Sequence, residues 1–549
     1  MLNKLMSSIR KEIYETIEKL GYLDNQVIPN PDSIVLETPK DKSFGDYATN
    51  VAMRLAKVAR KAPLVIANEI CEQLNINKIH LSKIDAVAPG FINLTLDLNY
   101  LSNIVNQILS EGSSYGNLTI GEHEHICLEY VSANPTGYLH VGHGRGAAYG
   151  ASLANILKKA GYKVNREHYV NDAGNQITNM AKSVYARYEE LFGRPLNIPE
   201  DGYHGKEIIT VAEEFKKQYN DEYLDKFDLN LFRKFGTEKL LNNLKKDLKS
   251  FNVEFDTWFS EKSLYKNNAV HKTLDFLKEK GHTYELDGAT WLKTTEYGDE
   301  KDRVLVKTDG SLTYLTPDIA YHADKLSRGF DHLIDVLGAD HHGYINRLKA
   351  AIAFVGGNPD LIDVEILQMV RVLQDGEEVK MSKRSGKAIT MRDLIEEAGT
   401  DALRFLFVSK SLSTHMDLDL DLAVRQSNDN PVFYAQYAYA RICSLFRKCN
   451  NYQEVKEFNV LDLEKTKKMI MCLLQYPNVI KEAAEKRIPH RISQYVLNLA
   501  STLHGYYNDE KILSDNQDEM NEKLTLLNAV KIVLKNSLEL LGVGVKEEM

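Results

Sequence analysis

An α/β core built on a parallel sheet, preceded by a small α+β unit and followed by a bundle of helices, is the architecture this sequence predicts. Three observations predict it. A strand-like run at 126–131, a glycine-rich helix over about 140–160 and a second strand-like run at 163–170 follow one another at the length of a βαβ unit. Further apolar runs return at 303–306, 332–337 and 366–373, as more strands of such a core would. After Arg392 the spacing is helical almost to the end, with Leu524, Leu527, Lys531, Leu534, Leu538 and Leu541 on one face of the last helix.

A chain of 549 residues exceeds what one hydrophobic core supports. Three domains are expected: 1–115, α+β; 116–395, the α/β core; and 396–549, the helical bundle. The first opens on an amphipathic helix (Leu2, Leu5, Ile9, Ile13, Ile17, Leu20), whose Glu12, Glu15 and Glu18 argue against a transit peptide. A strand is expected at 33–37, a helix over 47–61 that stops near Pro63, and a hairpin over 84–96 turning at Pro89-Gly90. The stretch from about 180 to 285 is strongly charged and reads as a helical insertion.

The composition, 43% hydrophobic and 26% charged, is that of a globular protein, and no apolar run is long enough to span a bilayer. Five scattered cysteines without a CxxC pair argue against a disulfide framework or a thiolate zinc site. They fit a reducing, cytoplasmic setting. A net charge of −9 excludes a protein that coats nucleic acid nonspecifically, while local basic runs (Lys465, Lys467, Lys468; Lys481, Lys486, Arg487, His490, Arg491) leave an RNA partner open.

Two distant segments carry chemistry. His140 and His143, three apart, present side by side at the start of a helix, where the dipole and free N–H groups favour phosphate. Gly142 and Gly144 let a flat ligand approach the backbone. Imidazoles there can donate to phosphoryl oxygens as charge develops. Lys380, Met381, Ser382, Lys383 and Arg384 form a basic loop after the Asp375-Gly376 turn, suited to closing over a triphosphate. Two other readings compete. Gly142, Gly144 and Ala147, with Glu167 downstream, loosely fit a dinucleotide fingerprint. His140, His143 and the 340–342 segment could bind zinc but lack the glutamate of HExxH.

With their surroundings these segments resemble the arginyl-tRNA synthetases, of the class I aminoacyl-tRNA synthetases. The resemblance is carried by Glu129-Tyr130-Val131-Ser132-Ala133-Asn134-Pro135-Thr136-Gly137 leading into His140-Val141-Gly142-His143, by residues 169–176, 314–320 and 338–344, by the lysine loop, by Asp401-Ala402-Leu403-Arg404 and by 430–441. At the front, residues 45–50 and 89–94 resemble the family's N-terminal domain. Tyr138 stands where the family often has proline.

The resemblance implies a Rossmann-like catalytic domain, a tRNA-contacting N-terminal domain and an anticodon-binding bundle, in a monomer. It implies activation of arginine with ATP and Mg2+, then transfer to tRNA. His140, His143, Lys380 and Lys383 would be catalytic, with Gly142, Gly144, Met381 and Ser382 also on ATP. Glu129, Ser132, Asn134, Tyr314, Asp318 and His341 would surround arginine, although Asp318, directly after Pro317, also suits a helix cap. In the bundle, Tyr434, Tyr437 and Arg441 share a helix face fit for stacking unpaired bases. Tyr506, Tyr507 and the terminal Met549 are candidates for the same surface. A noncatalytic RNA-binding relative and a dinucleotide-dependent oxidoreductase are the alternatives.

Overall fold

The alternation of apolar runs and helices places five strands in one sheet of the computed structural model. It describes residues 2–379 and 389–549, apart from the side chains of Lys42, Asp340, His341 and His342. In chain order the core elements are β1 (His125–Glu129), α1 (Val141–Lys159), β2 (Lys163–Val170), β3 (Thr257–Ser260), α2 (Leu315–Ser327), β4 (His332–Gly338) and β5 (Ile362–Leu367). The strand order is β5-β4-β1-β2-β3, and every neighbouring pair is parallel. The chain winds outward from β1 through β2 and β3, then restarts on β1's other side with β4. This makes the carboxyl ends of β1 and β4 the switch point, where such sheets open a crevice.

Close packing explains the glycines of α1. A Cβ on Gly150 would lie 2.2 Å from the Tyr130 ring, so the helix rests directly on the end of β1. The expected helical insertion is only partly helical. Helices Gly174–Glu190, Lys206–Tyr219 and Leu229–Ser250 do pack around their own apolar core. The stretch then yields β3, four residues that complete the central sheet, and Thr283–Leu286, the first strand of a separate antiparallel sheet with Ala289–Leu292 and Arg303–Val306. So short a strand between charged helices leaves little periodicity to read.

Other expectations shift in the same way. Residues 33–37 form no strand, and Glu37 makes a single bridge to Ala48. The helix expected over 47–61 begins later: Tyr47–Thr49 pairs with Phe91–Leu96, and the helix is Val51–Ala59. The 84–96 hairpin is present as Leu81–Val87 and Phe91–Leu96. The run 366–373 divides between two sheets. β5 ends at Leu367, and Val370–Gln374 pairs with Met416–Asp419, a strand inside a region expected to be helical throughout.

Four long helices, Pro431–Lys448, Leu463–Glu485, His490–Asp509 and Gln517–Leu540, form the C-terminal bundle. Helix Leu98–Glu111 packs against the second and fourth of them. The basic runs there are mostly neutralised at home: Lys465 by Glu510, Lys467 by Asp46, Lys486 and Arg491 by Glu482, and Arg487 by Asp363 and Glu365. Among the described residues no helix is long and apolar enough to cross a membrane.

Candidate active site

The crevice at the switch point is built from three strands in register. Asp335 of β4 sits opposite Glu129 of β1, and Glu129 opposite Glu167 of β2, so one face of the sheet carries a row of three buried acids. Buried carboxylates need cations or donors, and α2 supplies them from one helical face. Lys325 Nζ reaches Glu129 Oε2 at 2.5 Å and Asp335 Oδ1 at 2.8 Å. Arg328 pairs with both oxygens of Glu167. The Tyr321 hydroxyl lies 2.6 Å from Glu167 Oε1 and 3.0 Å from Glu129 Oε2, with its one proton to donate to either. His322 continues the chain, with Nε2 3.0 Å from Asp335 Oδ2 and Nδ1 2.9 Å from the Asp318 carbonyl and 3.3 Å from Asp318 Oδ1.

Burial opposes charge on Lys325 and His322, but their carboxylate neighbours win. Lys325 is held above its ordinary value, chiefly by Asp335 and Glu129. The charge of Asp318 and the hydrogen bonds to Asp318 and Asp335 lift His322 to about 10. Burial pushes Glu129 up, against the pull of Lys325 and Ser132. With Glu129 ionised, Asp318, Glu129 and Asp335 face two cations, which leaves the cluster with a net charge of −1. An acidic remainder at the mouth of a buried site suits a cationic ligand.

Asp318 is not the helix cap. Helix α2 begins at Leu315, ahead of Pro317, and the Asp318 carboxylate faces His322 and accepts from the Tyr344 hydroxyl at 2.8 Å. Ser132 donates to Glu129 at 2.7 Å and accepts from the Tyr169 amide, and Asn134 donates to Gln176 at 2.6 Å. Val131 and Ser132 both take positive φ, +70° and +39°. For a β-branched residue this is strained, and such strain gathers at functional sites. Tyr314 is 71% exposed at the rim. The backbone of His341 lies in the turn Ala339–Tyr344 that follows β4; its side chain is outside the described residues.

Sequence reasoning missed Glu261. It follows β3 directly, is buried, and its carboxyl is pushed up to about 7 by burial and by the charges of Asp172 and Asp318, against a hydrogen bond from Tyr169. The available signal was an acid at the end of a strand, the position Glu129 also holds.

At the start of the helix that follows β1, His140 is the N-cap of α1. Its Nδ1 accepts from Gly142 N at 3.2 Å, and His143 Nδ1 accepts from His140 N at 3.3 Å, a reciprocal capping box. With both Nδ1 atoms accepting, each neutral ring carries its proton on Nε2. The two rings lie 3.8 Å apart between centroids. Burial, reinforced by His140, holds His143 down at about 3. Beneath them His168 of β2 is buried between Trp258 and Phe255 and is also held at about 3, first by burial and then by His143.

Two histidines neutral in the fold but basic when unfolded contribute stability above pH 6.5, lost progressively as pH falls toward 3. Each adds a slope of roughly 1.4 kcal/mol per pH unit in that window. His168→Phe is therefore expected to flatten the acid limb of a urea-midpoint profile by about one proton; a slope equal to the parent's would contradict it.

Lys380, Met381, Ser382 and Lys383 lie outside the described residues. The chain is described again from Ile389, and Thr390 bridges to His140 while Met391 N donates to Leu139 O at 2.7 Å. The residues just past the lysine segment are thus fastened to the histidine segment itself. Arg392 strengthens this junction, pairing with Asp247 and lying 4.6 Å over the ring of Tyr138. Arg145 pins α1 from below. Fully buried, it donates to the carbonyls of Gln368, Ser411 and Thr414 at 2.8–2.9 Å. Arg145→Met would strand three carbonyls at about 1–3 kcal/mol each, so its unfolding midpoint should drop clearly in thermal or urea scans. An unshifted midpoint would show that the loops relax around the gap.

In the bundle, Arg441 lies 3.7 Å over the Tyr507 ring and 5.7 Å from Tyr437, and its Nη1 meets His504 Nδ1 at 3.1 Å. Tyr434 and Tyr437 also pack on His504, a member of the cluster that sequence reasoning did not name. Tyr506 does not join them. Neighbouring helix positions diverge by about 100°, and Tyr506 is buried toward Lys465 and Lys468 on another side. Met549 is exposed, and its tail is tied at Glu547 to Arg447, about 9 Å along the helix from Arg441.

A parallel sheet with its switch point beside a histidine-capped helix is the catalytic domain of the class I aminoacyl-tRNA synthetases, and residues 104–419 match the family described as tRNA synthetases class I (R), catalytic domain. Residues 7–96 match the arginyl tRNA synthetase N terminal domain and 435–549 the DALR anticodon binding domain. The chain belongs to the arginyl-tRNA synthetase family. It is 50% identical to the arginine–tRNA ligase of Bacillus subtilis over 98% of both chains. A crystal structure titled putative arginyl t-RNA synthetase from Campylobacter jejuni superposes with a TM-score of 0.78, at 36% identity over 83% of this chain and all of that one. The Thermus thermophilus arginyl-tRNA synthetase shares the fold at TM-score 0.72 and 21% identity, covering 98% of this chain and 99% of that one.

Proposed function

We propose that this chain ligates arginine to tRNA in two steps: the arginine carboxylate attacks the α-phosphate of ATP to give arginyl-adenylate and pyrophosphate, and a 3′-terminal ribose hydroxyl of tRNA then takes the arginyl group. The carrying observation is a net-negative cluster on the strand that ends just before α1, together with two Nε2–H imidazoles at the start of α1. A guanidinium carries five donors in a fixed fork and needs carboxylates to receive them. Asp318, Glu261 and Glu129 are assigned to it, with Tyr314 at the rim, Ser132 and Asn134 toward the amino-acid backbone, and His341 beyond β4. A cation arriving at Glu261 would lower its carboxyl from about 7 and leave it ionised.

At the other end, His140, His143, Gly142 and Gly144 receive ATP. The imidazoles donate from Nε2 to phosphoryl oxygens as their charge grows in the transition state. Lys380 and Lys383, with Met381 and Ser382, are assigned to the leaving pyrophosphate on sequence grounds, and Thr390's bridge to His140 supports that assignment. Mg2+, when bound with ATP, would neutralise charge on the phosphates. Tyr434, Tyr437, Arg441 and Tyr507 are assigned to unpaired tRNA bases, and Met549 is assigned with them on sequence grounds alone; aromatic faces and a guanidinium suit such stacking.

The test is ATP–pyrophosphate exchange with tRNA present. Exchange should require arginine and fail with lysine, whose single ammonium leaves carboxylate oxygens unpaired. Exchange indifferent to arginine would overturn the substrate assignment, and none under any amino acid would favour a noncatalytic RNA-binding protein.

A further inference from the structure

Three groups counted in the cluster's charge are given no contact with substrate in the reading above: Lys325, Asp335 and His322. All three are almost wholly buried, and none faces the crevice as a free group. Yet they form one unbroken chain between two carboxylates assigned to arginine. Glu129 Oε2 meets Lys325 at 2.5 Å, and Lys325 meets Asp335 Oδ1 at 2.8 Å. The other oxygen of Asp335 meets His322 Nε2 at 3.0 Å, and His322 Nδ1 lies 2.9 Å from the Asp318 carbonyl and 3.3 Å from Asp318 Oδ1, so it holds that residue by main chain and by charge.

The chain spans three elements. Glu129 and Asp335 are register partners on β1 and β4, while Asp318, His322 and Lys325 lie at i, i+4 and i+7 of one face of α2. A buried ion pair by itself is weak evidence for stability. Alternating signs through five groups instead fix geometry, since moving any one of them leaves its neighbours' charges uncompensated.

We propose that Asp335, through Lys325 on one side and His322 on the other, is a positioning residue that sets the separation and orientation of the Glu129 and Asp318 carboxylates, so that the two grip one guanidinium together. The proposal rests on the assignment of Asp318 and Glu129 to arginine. Asp335 touches no substrate and acts only through its neighbours. Removing its charge leaves His322 without the anion at Nε2 and Lys325 with Glu129 alone, so the ammonium draws on Glu129 and Asp318 loses its fixed partner.

The experiment measures KM and kcat for arginine and for ATP in exchange assays on Asp335→Asn, Asp318→Asn and the double variant. Asp335→Asn should raise the arginine KM by about tenfold or more, as loss of a charge-assisted bond would, with the ATP KM within about twofold. The double variant should lose less than the two single losses added together, because the His322 arm of the Asp335 change acts through Asp318 while the Lys325 arm still acts on Glu129. Equal rises in both KM values, or additive losses, would show a merely structural aspartate and overturn the proposal. If Asp335→Asn does not fold, His322→Gln asks the same question, and an unchanged arginine KM in it is equally fatal. Should Asp318→Asn itself spare arginine, the underlying assignment fails; if it does not and Asp335→Asn does, only the positioning role fails.

Discussion

Asparagine at position 318 is expected to raise the KM for arginine by one to two orders of magnitude while the KM for ATP moves by less than about threefold. The substitution keeps size, and its amide oxygen still accepts from Tyr344. What it removes is charge. A hydrogen bond to a charged partner contributes about 1.5–3 kcal/mol, and each 1.4 kcal/mol is about tenfold. The cluster would fall from a net −1 to neutral just where the guanidinium enters. His322 would also lose the neighbour that does most to hold it at about 10. Arginine and ATP kinetics measured side by side decide the matter. Losses of equal size on both substrates would mean that Asp318 serves the fold, through His322 and Tyr344, and not the ligand.

Legibility in the sequence followed the length of the physical signal. β1, α1, β2 and β4 are long, apolar or glycine-marked, and they lie within a residue or two of where periodicity puts them. β3 was unreadable because four residues between charged helices carry no period, and with it went Glu261. The 366–373 run reads as one strand, but exposed Met369 marks where the chain leaves the sheet, and the break is held by distant partners, with the Gln368 carbonyl meeting Arg145 and its backbone amide donating to Leu412 O.

The site was half legible. A carboxylate ending a buried strand implies a cationic partner, which is sound for Glu129. The sequence does not say that Lys325, 196 residues away, is already that partner. Such pairings depend on strand register and on which helix face covers the sheet, and both are set only by the assembled fold. The histidine pair was legible because three-residue spacing is local, and so was the Tyr434–Tyr437–Arg441 face. His504, which completes that face, comes from another helix.

The second large effect is expected at His143, where two roles must be told apart. Its Nδ1 caps α1 by accepting from His140 N, and its Nε2–H is assigned to phosphate. Loss of one preorganised donor to a developing charge typically costs about 10²–10³ in kcat, whereas loss of a cap costs about 1 kcal/mol of stability and no chemistry. Asparagine places its amide near the position of Nδ1, and glutamine reaches the position of Nε2. His143→Asn should therefore keep most of the stability yet exchange pyrophosphate as poorly as His143→Ala. His143→Gln should recover part of the rate while losing the cap. Both rates are read at saturating arginine, so that binding of the amino acid does not enter. If asparagine restores the rate and glutamine does not, His143 serves α1 alone, and the donor to the triphosphate must be sought in His140 or in the amides of the helix start.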